Sequence, residues 1–158
     1  MTRLILVVFL VSAIAFAQDK RDEDEVVYIG TKDPDMIAAI RRARETLDGF
    51  LAIAADPPQN TSGFKLKVMV RDRGEVEHIW VTPFRALDVG FTGVIANEPK
   101  SVRIVKAGQV VRFTRAEISD WGYERDGRQV GSYTVCVLFK RMPKEQADYY
   151  RKNHGFDC

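Results

Sequence analysis

Apolar and polar positions alternate along the chain in two distinct rhythms. Between residues 33 and 55 the rhythm is helical. Asp33-Pro34 supplies an N-cap followed by proline at the first helical position. Met36, Ile40, Ala43, Leu47 and Phe50 then recur at spacings of four, three, four and three, which places them on one stripe. Such a stripe predicts a helix packed on a sheet. Asp56-Pro57-Pro58-Gln59-Asn60-Thr61-Ser62-Gly63 ends it as a loop.

From Phe64 the rhythm shortens to two. Phe64, Leu66, Val68 and Val70 alternate with Lys65, Lys67, Met69 and Arg71, and Asp72-Arg73-Gly74 turns the chain back into Glu75 to Thr82. Further strands are predicted over Leu87 to Ala96, Val102 to Val105 and Gln109 to Phe113. A last hairpin pairs Trp121 to Arg125 with Gln129 to Lys140 through Asp126-Gly127. In that final strand Tyr133, Val135, Val137 and Phe139 share one face while Thr134, Cys136 and Leu138 share the other. Two apolar faces predict a central strand. Thr114-Arg115-Ala116-Glu117 has capping-box spacing, so a single helical turn through Ser119 is expected before Asp120 and Trp121. A C-terminal helix is expected from Pro143 to near Gly155, with His154 in its last turn. The fold class is α+β: a curved antiparallel sheet with an N-terminal amphipathic helix packed on it and a short C-terminal helix.

The first 17 residues follow a third rule. Arg3 precedes an apolar run from Leu4 to Ala17 interrupted only by Ser12, and Ala15-Phe16-Ala17 has the small-x-small pattern. Residues 1–17 therefore read as a secretory signal peptide, too short for a membrane-spanning helix. Residues 18–30 read as a charged tether with a short edge strand over Val26 to Ile29, and 31–158 as a single domain. The expected location is the periplasm or the extracellular space, with no stable transmembrane segment after cleavage. Net charge is +2. Losing Arg3 with the leader lowers it by one, which gives no electrostatic case for nucleic acid. Export also colours the two cysteines. An even count in an oxidising compartment favours a Cys136–Cys158 disulfide, with a buried free Cys136 and a loose terminal Cys158 as the alternative.

Candidate chemistry is sparse. His78, in phase with Val76 and Trp80, reads as a general base oriented by Asp120 or Glu117, or as a half-buried histidine bonded to a backbone carbonyl. Glu117 and Asp120 could pair across one helical turn, but capping already accounts for Glu117. Tyr123 and Glu124 add further polar and aromatic groups nearby. The cysteines and histidines lack zinc-ligand spacing, no serine sits in a G-x-S-x-G elbow, and the glycines form no phosphate-cradling run. No metal and no cofactor are expected.

The segments His78-Ile79-Trp80-Val81, Gly93-Val94-Ile95-Ala96-Asn97-Glu98-Pro99, Gly108-Gln109-Val110-Val111-Arg112-Phe113, Glu117-Ile118-Ser119-Asp120-Trp121 and Gly131-Ser132-Tyr133-Thr134-Val135 resemble the YegJ-like bacterial family, the domain of unknown function numbered 2314. The resemblance runs from Met36 through Arg141. It implies a small bacterial α+β domain, often exported, and brings no catalytic residues or ligand with it. Three readings of function follow. The first is a non-catalytic binding module of the envelope, of inhibitor or immunity type, using Trp80, Asn97, Glu98, Asp120 and Trp121 to hold an envelope protein or a small ligand. The second is a small hydrolase built on His78, Glu98 and Asp120. The third is a purely structural envelope protein with both tryptophans buried in the core.

Overall fold

The computed structural model describes residues 33–158. The signal-peptide, tether and edge-strand expectations for the first 32 residues lie outside the described residues. Within them the order is α1 (Pro34–Ala55), β1 (Thr61–Asp72), β2 (Glu75–Ala86), β3 (Phe91–Ile95), β4 (Val110–Phe113), a 3-10 turn (Arg115–Glu117), β5 (Ile118–Arg125), β6 (Arg128–Gly131), α2 (Tyr133–Phe139) and α3 (Lys144–His154). The fold is α+β. Its six strands form one open antiparallel sheet in the order β4-β3-β2-β1-β5-β6.

Local chemistry sets each start and turn. The Asp33 side chain accepts the Met36 amide at 3.0 Å, satisfying one of the orphan donors at the start of α1. The β1–β2 and β5–β6 hairpins both turn on two consecutive left-handed residues, Arg73-Gly74 and Asp126-Gly127, whose twist matches that of the flanking strands. β2 continues beyond Thr82, through the cis Thr82–Pro83 bond, to Ala86. The chain crosses from β4 at one edge back to β5 through the 3-10 turn. There the Glu117 carboxylate accepts from the Thr114 amide at 2.7 Å and from its hydroxyl at 2.8 Å, so the expected cap is present.

The two sheet faces differ. α1 covers the first, and Ala43, Leu47 and Phe50 meet Leu66, Val68, Ile79, Val81, Trp121 and Tyr123 in the core. Burying each of the larger side chains is worth about 1.5–3 kcal/mol. Trp121 stacks on Phe50 at 4.9 Å between ring centroids and donates its indole N–H to the Ala43 carbonyl at 2.9 Å. Arg44 anchors the same helix from its side, donating to the carbonyls of Ile118 and Ala116.

Two expectations need correction. The long final strand does not form: Arg128–Gly131 is a four-residue strand at the sheet edge, and Tyr133–Phe139 is helical. The alternation of Val, Thr and aromatic residues favours a strand locally, yet tertiary contacts override it. Ser132 turns the chain with φ 52°, and the carboxylate of Asp120 takes the amides of Tyr133 and Thr134 at 3.2 and 2.8 Å. Gly131 permits the turn, since its φ is 79° and a Cβ there would lie 2.4 Å from the Trp121 carbonyl oxygen. Val102 to Val105 is likewise not a strand; that part of the chain is irregular until Val110.

Cys136 and Cys158 are joined in a disulfide, tying the C-terminal tail to α2. Phe139 packs against Tyr150 and Phe156, and the Gln129 amide donates to the Gly155 carbonyl at 2.9 Å. The tail thus bonds along the outer edge of β6, which would otherwise present unpaired backbone groups.

Candidate functional site

The second sheet face carries the polar phase of the strands. Antiparallel register sets Trp80 of β2 opposite Lys67 of β1, and Lys67 opposite Asp120 of β5. An aromatic ring, a cation and a carboxylate therefore stand in one row across three strands, and Lys65 lies one pleat along on the same face. Both ammonium groups sit over the Trp80 ring, Lys65 Nζ at 5.1 Å and Lys67 Nζ at 4.7 Å from its centroid.

Asp120 is fully buried at the closed end of this row. Its carboxylate accepts from the Trp121, Tyr133 and Thr134 amides and from the Thr134 hydroxyl at 2.6 Å. Thr134 in turn accepts from Lys67 Nζ at 2.8 Å, so one hydroxyl bridges the buried cation and the buried anion. Burial pushes the Lys67 ammonium down, with Asp120 opposing and Lys65 reinforcing. Burial also pushes the Asp120 carboxyl up, against the pull of Lys67 and of the bonds from the Thr134 hydroxyl and the Thr134 and Trp121 amides. Lys65 is lowered too, chiefly by burial, while Asp120 and Glu124 act the other way. It donates to Gln129 Oε1 at 3.2 Å. Gly122 leaves room for this cluster: a Cβ there would lie 2.5 Å from Ser132 Oγ and 3.2 Å from Lys65 Cε.

His78 belongs to the same face. A register shift in the β1–β5 pairing between Lys67 and Val68 leaves Ser119 as an extra residue. The Ser119 hydroxyl donates to the Lys67 carbonyl at 3.2 Å, and its oxygen accepts from His78 Nδ1 at 2.8 Å. That arrangement leaves Nε2 without the proton. Burial first, then the charges of Lys67, Arg44 and Arg71, push the imidazole down to about 4. His78 is neutral at pH 7. Its partner is a serine hydroxyl, not Asp120, Glu117 or a backbone carbonyl.

The remaining sequence candidates separate. Asn97 Oδ1 accepts the Trp80 amide at 3.0 Å and so steadies the strand that carries the tryptophan. Glu98 faces the next loop, within 3.4 Å of the Ala107 amide. Glu117 caps its own turn, and Tyr123 is a core residue. Trp121 lies 5% exposed on the opposite face, so it cannot share a surface with Trp80. Trp80 is only half-buried. The hydrogen bonds of His78, Glu98 and Asp120 lead to three different places, and no catalytic triad is formed among them.

Sequence reasoning did not single out Lys65, Lys67, Ser119 or Thr134. A signal for the lysines existed: counting back from the Asp72–Glu75 pair at the hairpin places Lys67 opposite Trp80. Nothing local announces Thr134, whose position depends on α2 being a helix. Around this row runs an open groove, walled by α1, α2 and α3 and lined by Arg41, Arg44, Lys65, Lys67, Arg71 and Lys100 against the carboxylates of Glu45 and Glu77. Glu77 is already committed, since it accepts from the amides of Lys100, Ser101 and Val102. Burial opposes its ionisation, but these bonds outweigh it and hold its carboxyl below the usual range.

The molecule is thus a small α+β domain with one sheet face sealed by a helix and the other open, cationic and centred on a tryptophan. The chain belongs to the family described as uncharacterized protein conserved in bacteria, DUF2314, whose match covers residues 33–158. That span includes the tail to Cys158, beyond the Arg141 limit of the resemblance read from sequence. The chain is 35% identical over 128 residues to the uncharacterized protein YegJ of Escherichia coli, covering 81% of this chain and 82% of that one. It is also 28% identical over 85 residues to a putative ankyrin repeat protein of Neisseria meningitidis serogroup B, a match spanning 53% of this chain and 34% of that protein's length. No solved structure matches.

Proposed function

We infer that the domain is an exported, non-catalytic binding module of the bacterial envelope, with its partner seated on the Trp80 face. The observation that carries this reading is a half-exposed tryptophan held under two lysines in an open groove. A large amphipathic ring, fixed by its own strand and by Asn97, gives much contact area at little entropic cost. Export is supported by the leader pattern from Arg3 to Ala17 and by a disulfide that suits an oxidising compartment. Among the described residues no helix is long and apolar enough to cross a membrane.

The hydrolase reading draws less support. An imidazole with its pKa near 4 is a weak base at neutral pH, and it does not bond to a carboxylate. The test is affinity capture of envelope proteins on the purified protein and on Trp80→Ala. The expected result is one enriched protein on the parent that is missing from the variant, with folding of both confirmed by circular dichroism. Equal capture by both would place the binding surface elsewhere.

A further inference from the structure

Two ammonium groups over one ring carry mutual repulsion and a desolvation cost that nothing among the described residues fully offsets. Asp120 is the carboxylate of the row, and its oxygens already serve three amides and a hydroxyl. Lys67 is 7% exposed, and its described hydrogen bond uses one of three ammonium donors. Lys67 and Lys65 both line the groove, with their ammonium groups over the same Trp80 ring. Around them Arg41, Arg44 and Arg71 also line the groove, so with the two lysines the cations outnumber the neighbouring carboxylates of Glu45, Glu77, Asp120 and Glu124 and the local potential is positive.

We propose that Lys65, Lys67 and Trp80 form a subsite for a carboxylate group, supplied by an acidic side chain of the partner. The proposal rests on the binding-module reading of this face and names what the face takes. Each of the two ammonium groups donates to one oxygen of the planar carboxylate, and the indole ring forms the apolar floor beneath. A phosphate, with three or four oxygens, asks for more donors than this row holds. The amides at the start of α2 would be the natural additional donors, but the Asp120 carboxylate occupies them. Arg44 adds no free fork, because it is spent on the carbonyls of Ile118 and Ala116. His78 serves as an internal reporter. Lys67, Arg44 and Arg71 depress it, so an anion lodged beside Lys67 relieves part of that depression.

The test is NMR titration of the disulfide-intact protein with sodium acetate, following the His78 imidazole and the Trp80 indole, against sodium chloride at equal ionic strength. Inorganic phosphate provides the second arm. At about pH 6.5, where acetate is ionised, it is expected to shift both signals saturably in the millimolar range. Lys65→Met and Lys67→Met are each expected to abolish the saturable response; Lys65, being the less buried, gives the variant that retains the fold. An identical response to chloride, a response surviving in Lys65→Met, or tighter binding of phosphate than of acetate would each overturn the assignment. The binding-module reading stands or falls separately, because partner capture on Trp80→Ala does not depend on acetate.

Discussion

His78 shows how the charged face acts on a single residue. It is neutral in the folded protein because burial and three nearby cations disfavour its proton. In the unfolded chain it titrates near 6.5. Its folded pKa is therefore depressed, and the unfolded state binds the extra proton first. The stabilising contribution is full above about 6.5 and is lost as pH falls through 6.5 toward 4. Discounted for partial exposure, that loss is about 2 kcal/mol. His78→Gln keeps a hydrogen-bonding group near Ser119 and is expected to flatten the pH dependence of urea unfolding across this window. An unchanged slope in the variant would assign the acid sensitivity to other groups. The two tryptophans form a second contrast at this scale. Both are prominent in the sequence, and only the register of the folded sheet sends Trp121 to the core and Trp80 to the groove.

Among the elements, α2 is the one that local pattern misreads. α1, the first hairpin, the capping turn and α3 were all legible because their signals are local: a cap with proline, a helical stripe, paired left-handed turn residues, a Thr-x-x-Glu spacing. α2 has no such signal. Its residues favour a strand, and what makes them helical comes from elsewhere: Asp120 thirteen and fourteen residues earlier, and Cys158 from the tail. Long-range chemistry of this kind cannot be seen in a window of seven residues. It also predicts where the element is vulnerable. Replacing both Cys136 and Cys158 by serine is expected to lower stability by about 3 kcal/mol. Hydrogen exchange should speed up most in α2 and α3, since the bridge ties them to the tail. Uniform loss of protection across the sheet as well would show that the bridge does not act locally.

For the whole molecule, the decisive feature is the difference between its two faces. The fold class was readable from the change in periodicity, since an α+β order follows from a helix, hairpin-spaced strands and a second helix. The candidate site was readable only in part, as a set of residues that the fold then separates. Trp80 and Asn97 are joined by a hydrogen bond, whereas Glu98, Trp121 and Asp120 turn to a loop, the core and a helix cap. The lysines were hidden because they look like the solvent phase of an alternating strand. They line a groove because α2 and α3 wall that face, and so enter the proposed site. Removing the ring should therefore separate binding from folding, since Trp80 lies outside the core. Trp80→Ala is expected to cost about 1–2 kcal/mol of stability, against about 3–5 kcal/mol for Trp121→Ala. The most direct measurement is urea unfolding and partner capture on the same preparation of Trp80→Ala. The expected result is a folded protein, within about 2 kcal/mol of the parent, that no longer captures the envelope protein enriched on the parent. A folded Trp80→Ala protein that still retains the partner would contradict the binding-module reading.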